Sequence, residues 1–299
     1  MKNHLKKEEF FEKVRSEVEL NLKGHTVKLN RVTKQGDLVL NGLVIFDEFK
    51  ETNVSPTIYL DDYYNKLTKG SMTTSSIVTD VVSIWKMNKN VKVDMNDLKD
   101  TSKMYLKVLN KDLSSEYLQD KLVKEIKNTN LVLVPYIEIP KFIKKNGTST
   151  VTLTKKFIYS LGINEEEIFD IAMNNCKCNI KCVANSVIDT LTSFSKPSSI
   201  NIPKEPGMVL ITNDRILYGA AIIFFSDILK QIAELWENDL IIIPSSVHEV
   251  IVLPLTKDVE REELKNIIEE AISECVTVDE ILDNVPYRYL REKDCIEIF

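Results

Sequence analysis

Residues 208–254 read MVLITNDRILYGAAIIFFSDILKQIAELWENDLIIIPSSVHEVIVLP, the most apolar long stretch of the chain. Its apolar runs are mostly strand-length and bounded by turn residues, while residues 226–236 carry the spacing of one helix face. The expected elements are strands over Met208–Thr212 and Tyr218–Phe224 around an Asn213-Asp214 turn, then a helix capped by Ser226 that buries Ile228, Leu229, Ile232, Leu235 and Trp236. Strands over Leu240–Ile243 and Val247–Leu253 follow, flanking Pro244-Ser245-Ser246. The small residues Gly219-Ala220-Ala221 suit close packing of a helix on a sheet. Toward the C-terminus, Asp258–Cys275 places Leu264, Ile267, Ile268, Ala271 and Ile272 on one helix face, and Tyr287–Leu290 with Cys295–Phe299 reads as a closing hairpin. The order is ββαββα plus a terminal hairpin. Hairpins outnumber βαβ crossovers, so the expected class is α+β, in two halves with antiparallel sheets covered by helices.

Toward the N-terminus, residues 176–206 hold three cysteines, several serines and Pro197, Pro203 and Pro206. They read as an irregular connecting region between an N-terminal α+β region over 1–175 and a C-terminal one over 207–299. Within the N-terminal region, residues 3–20 and about 73–88 show helical faces. Thr26–Thr33 and Leu38–Phe46 flank the turn chemistry of Lys34-Gln35-Gly36-Asp37. Thr57–Leu60 is a short strand, with Asp61 as cap of the next helix. Met104–Val108 is a strand and Ser114 opens a helix to Ile126. Leu131–Ile139 is an apolar run whose Pro135 marks an edge or bulged strand. Asn146-Gly147 turns into a strand over Thr148–Leu153, and Asn164 before three glutamates starts a helix.

With 299 residues, 43% of them hydrophobic, the chain can build a substantial core, and its length suggests about two domains. A net charge of −6 counts against non-specific duplex binding. Residues 1–18 are charged from the start, so no secretory leader is expected, and no run of about 18 apolar residues predicts a membrane span. Five cysteines in a chain of this size point to free thiols and a cytoplasmic location.

Away from the helix, polar residues of the opening stretch cluster at two turns: Asn213, Asp214 and Arg215 at one, and Ser245, Ser246, His248 and Glu249 at the other. Serine near histidine and a carboxylate suggests nucleophilic catalysis. On a strand, however, Ser246 and His248 share a face while Glu249 points the other way, and no Gly-x-Ser-x-Gly elbow is present. The competing explanation is a turn whose serines satisfy backbone groups, beside a hydrogen-bonded histidine. Cys176, Cys178 and Cys182 match no usual zinc spacing, and three histidines are too few for a histidine-rich metal site. Asp61-Asp62 fits helix-start acids better than a metal pair. Lys141, Lys144, Lys145, Lys155 and Lys156 form the one basic patch. No phosphate loop or dinucleotide fingerprint occurs, so neither a cofactor nor a metal is expected.

Several pieces in chain order carry a resemblance: Leu40-Asn41-Gly42-Leu43, Pro56-Thr57-Ile58-Tyr59-Leu60 with Tyr63 and Tyr64, and Leu109-Asn110. Leu161–Asn175 (LGINEEEIFDIAMNN), Leu210-Ile211-Thr212-Asn213, Gly219-Ala220-Ala221 and Ile243–Ile251 (IPSSVHEVI) continue it. Together they resemble a family of uncharacterised bacterial proteins, mainly from clostridia-type Firmicutes and known as a domain of unknown function. The resemblance implies a full-length family member. It brings no activity, cofactor or catalytic residue.

The expectation is therefore a non-catalytic cytoplasmic protein that binds a protein or small-ligand partner through the turns at Asn213–Arg215 and Pro244–Ser246. The alternatives are a hydrolase or nucleotide-processing enzyme using Ser245, Ser246 and His248 with an acid such as Asp214, and nucleic-acid binding through the 141–156 lysines.

Overall fold

The computed structural model describes residues 6–47, 57–89, 95–139, 149–192, 199–244 and 246–299. Contacts divide the chain into two units: Met1–Lys34, Leu38–Leu98 and Pro140–Thr148 in the first, and Gln35–Asp37, Lys99–Ile139 and Ser149–Phe299 in the second. The boundary expected over 176–206 falls inside the second unit.

The first unit holds α1 (Lys7–Asn21), β1 (His25–Thr33), β2 (Val39–Asp47), β3 (Thr57–Tyr59), α2 (Asp61–Thr68), α3 (Thr74–Asn88) and most of α4 (Met95–Lys99). Its antiparallel sheet runs β1-β2-β3. Phe10, Phe11, Val14 and Val18 recur three and four apart along α1. They pack with Leu43 and Ile45 of β2 and with Ile77, Val81 and Trp85 of α3 in one cluster. Thr73 caps α3 by accepting from the Ser76 amide. Asp61 is not the cap expected of it, because Leu60 holds that position. Its carboxylate accepts from the Asn41 amide at 2.7 Å and pairs with Lys7 at 2.8 Å, so it ties α2 to β2 and α1.

The second unit opens with β4 (Met104–Asn110), α5 (Ser115–Leu118), β5 (Lys124–Glu125), β6 (Leu131–Ile139) and β7 (Ser149–Thr152), which form a four-stranded sheet around β6. The helix expected over 114–126 stops at Leu118. Its N-terminal amides at Glu116 and Tyr117 donate to the Asp37 carboxylate, and Ser114 accepts from the Gly36 amide instead of capping. β6 is central, against the reading of Pro135 as the mark of an edge or bulged strand: β4 lies on one side, β5 and β7 on the other. In an antiparallel strand the N–H and C=O of a residue face the same neighbour. The Pro135 carbonyl accepts from Leu153, so its missing N–H faces that side too. There β5 has ended opposite Leu133 and β7 begins opposite Tyr136, so no ladder bond is lost.

Then come α6 (Lys155–Leu161), α7 (Glu165–Asn179), β8 (Cys182–Ser186), α8 (Val187–Thr192), β9 (Ile200–Asn201), β10 (Val209–Asn213), α9 (Ile228–Trp236), β11 (Leu240–Ile243), β12 (Val250–Pro254), α10 (Arg261–Cys275), β13 (Tyr287–Leu290) and β14 (Cys295–Ile298). The seven-stranded sheet runs β14-β13-β11-β12-β10-β8-β9, antiparallel except for β8–β9. The stretch read as an irregular connector thus supplies the end of α7 and an internal strand: Val183 and Ala184 of β8 are fully buried between polar flanks that masked the pattern. The strand expected over Tyr218–Phe224 is a 3₁₀ helix over Gly219–Phe224, entered through left-handed backbone at Ile216 and Tyr218. An unbroken apolar run does not distinguish the two. Asp227, not Ser226, precedes α9, and the Ser226 hydroxyl donates to the Ile222 carbonyl. Asn164 does cap α7, accepting from the Glu167 amide at 2.8 Å, and β13–β14 is the expected terminal hairpin. One cluster joins β4, β6, α7, the 3₁₀ segment, α9 and the inner strands of the large sheet. The class is α+β.

Candidate functional site

Pairing of β10 with β12 sets Ile211 opposite Val250, so the loop leaving β10 and the loop entering β12 meet at one end of the large sheet. β8 starts at that end too, with Cys182 opposite Asn213. Two bonds tie the loops together. The Thr212 hydroxyl donates to the His248 carbonyl at 2.8 Å, and the Tyr218 amide donates to His248 Nδ1 at 3.1 Å.

Each described residue of the two polar turns singled out from the sequence lies here or beside it. Asn213 is buried. Its Oδ1 accepts from the Arg215 and Leu217 amides at 3.1 and 3.3 Å, and its Nδ2 donates to the Leu217 carbonyl at 2.9 Å, which closes a side-chain-mimicked turn. Asp214 is exposed and accepts from the Lys181 amide at 3.1 Å. Arg215 leaves the loop: its Nη1 pairs with Glu138 of β6 at 2.7 Å, its Nη2 donates to the Asn179 carbonyl at 3.1 Å, and its guanidinium lies 4.6 Å from the Tyr105 ring centroid. Burial works against that charge, but Tyr105 and Glu138 outweigh it and hold the guanidinium firmly protonated.

Ser246 is buried, and its hydroxyl accepts from the His248 amide at 3.0 Å. The His248 ring stacks on Tyr218, with centroids 5.7 Å apart and planes 15° from parallel. Because Nδ1 accepts a backbone N–H, the neutral ring carries its proton on Nε2. That nitrogen faces Glu280 Oε1 at 3.5 Å. Glu249 is half-buried and forms no hydrogen bond or ion pair among the described residues. Ser245 lies outside the described residues.

The acid expected to serve His248 was Asp214, but Asp214 is held by Lys181 while Glu280 takes that place. Three more residues were missed. Lys107 of β4 is 2% exposed, with Nζ 4.8 Å from the Tyr218 ring centroid, 5.5 Å from that of Tyr117, and donating to Gln35 Oε1 at 2.9 Å. Its only sequence signal is a lone charge inside the apolar run of β4. Asp283 is 1% exposed, accepts from the Asn284 amide at 2.7 Å and takes the Tyr287 hydroxyl. Burial pushes its carboxyl up, against the pull of those donors. Tyr287 is raised in turn by burial and by Asp283.

The other candidates stay dispersed. Lys155 and Lys156 begin α6, while Lys141, Lys144 and Lys145, with the Asn146-Gly147 turn, lie outside the described residues. Cys176 is buried near the Leu106 amide, and burial pushes its thiol up to about 12; Cys178 is exposed. Among the described residues no group of three or more His, Cys, Asp or Glu side chains is placed to hold a metal ion. No described helix is long and apolar enough to cross a membrane.

No curated protein and no solved structure shows detectable similarity to the chain. A family model does match, over residues 7–291, nearly the whole length that carries both units and the sheet-end cluster. The chain belongs to a family of unknown function, DUF5688.

Proposed function

We propose that the chain is a non-catalytic cytoplasmic protein, of clostridial-type bacterial origin, that binds a protein or small-ligand partner at the sheet end where the described residues 213–218, 244 and 246–249 meet. One observation carries this reading. Ile216, in the loop between Asn213 and Tyr218, has φ of 54° although it is β-branched, and its side chain is 42% exposed. Left-handed backbone at such a residue costs on the order of 1–3 kcal/mol. An exposed side chain gains little packing in return, and such strain concentrates where a loop is shaped for contact.

The neighbouring groups favour binding over catalysis. Ser246 and His248 Nδ1 each accept a backbone N–H, as does Asp214, so no nucleophile–base–acid chain links them. The enzyme reading keeps one supporting feature, the approach of Glu280 to His248 Nε2.

A photoreactive phenylalanine analogue placed at Ile216, with Tyr159 as an exposed control, tests the binding reading in the cells that make the protein. Tyr159 is 88% exposed on α6. Adducts at 216 and not at 159 are expected. Equal adducts at both, or none at 216, contradict it. Turnover of a generic ester or phosphoester that disappears in His248→Ala replaces it with the enzyme reading.

A further inference from the structure

A second feature lies away from the sheet-end cluster. A surface depression of 490 Å³ opens where the start of α9, the β13–β14 hairpin and the loop after β5 come together. That volume lies within the range of small-molecule sites. The apolar part of its floor is Ile126, Phe224 and Ile296, half-buried with surface still open, beside the buried Tyr289. Its rim carries Lys127, Lys177 and Lys230, brought from three separate elements. All three are exposed, and none makes an ion pair among the described residues. Two carboxylates also line it. Asp294 accepts the Tyr289 hydroxyl at 2.6 Å, and Asp227 stands at the start of α9.

With three ammonium groups against the carboxylates of Asp227 and Asp294, the lining is net positive, and an anion placed there balances the excess. These side chains would take an apolar body out of water, and a flat one suits the half-buried ring of Phe224. We propose that this depression is a binding site for an organic anion with a flat apolar body, its rings on the floor and its acid group among Lys127, Lys177 and Lys230. The inference goes beyond the reading of the sheet end and uses none of its residues, so either can fail alone.

The probe is 1-anilinonaphthalene-8-sulfonate, titrated by fluorescence into the full chain. One saturable site is expected. In the folded Lys127→Glu/Lys177→Glu/Lys230→Glu variant its affinity should fall at least roughly tenfold, a loss of about 1.4 kcal/mol. Cys295 lines the depression and is half-buried, so it reports location in the unaltered protein. Saturating probe should slow its alkylation several-fold and leave the exposed Cys275 unchanged. Unaltered affinity in the folded variant overturns the proposal. Should that variant not fold, unprotected Cys295 in the parent overturns it instead, as does the absence of saturable binding.

Discussion

Arg215 joins four parts of the second unit: the loop after β10, Glu138 on β6, the end of α7 and the ring of Tyr105. Its ion pair is partly shielded, with side chains 27% and 20% exposed, so Arg215→Ala should cost about 1–3 kcal/mol by denaturant midpoint. Arg215→Lys should recover less than half, because an ammonium cannot form the planar fork and ring stack together; full recovery would mean that charge alone matters. Asp283 gives a prediction with a sign in pH. Burial raises its carboxyl above the ordinary 3.8, so the folded chain keeps that proton longer than the unfolded one. Its contribution is complete below 3.8 and is lost as pH rises through the folded value. Denaturant midpoints of the parent and Asp283→Asn at pH 4 and pH 7 should show the parent losing ground to the variant at pH 7, and a constant gap would contradict this. Ile216→Asn, which tolerates left-handed backbone, should raise stability by about 1 kcal/mol, and a loss would mean that the loop holds no strain. The two polar turns of the opening stretch were legible because each is contiguous in sequence, and the pairing of β10 with β12 brings them together. Lys107 and Glu280 were not legible, since Gln35 and His248, which they meet, are distant in the chain, and Asp283 was not because its burial is set by the fold although Asn284 and Tyr287 are close in sequence.

At the scale of elements, the 3₁₀ segment over Gly219–Phe224 is pressed onto β10 and the loop before β12. A Cβ on Gly219 would stand 2.2 Å from the Thr212 hydroxyl and 2.3 Å from the His248 carbonyl, the very pair whose bond joins the loops. Gly219→Ala should therefore cost about 3 kcal/mol or more, read from the denaturant midpoint. A change within about 0.5 kcal/mol, the size of a surface substitution, would show that the approach is looser than described. This element also marks the limit of pattern reading. The small Gly219-Ala220-Ala221 forecast close packing, yet the pattern of Tyr218–Phe224 that contains them reads as a strand. The same limit made Pro135 the mark of an edge or bulged strand: what decides its position is the gap between β5 and β7, a matter of pairing that periodicity along β6 does not carry. Helices with capping residues, such as Asn164 before α7, and hairpins with turn residues between strands were readable because their signals are local.

At the scale of the whole chain, the two units have separate apolar clusters, Phe10 to Trp85 in one and Met104 to Tyr289 in the other. A unit with its own core unfolds cooperatively. Phe10→Ala should cost about 3–5 kcal/mol, and hydrogen exchange should show α3 losing protection while β11 keeps it; uniform loss would mean one cooperative body. The class was legible because hairpin signals and helix faces alternate along the chain. The division was not, because Pro- and Ser-rich composition over 176–206 resembles a linker while the segment supplies β8 to the large sheet. In the proposed reading the polar residues at the end of that sheet build the fold rather than run chemistry, and the denaturant midpoint of His248→Ala tests it. The ring accepts from Tyr218 and stacks on it, so a loss of about 2–3 kcal/mol is expected. Unchanged or increased stability would contradict it and return Ser246, His248 and Glu280 to consideration as a working site.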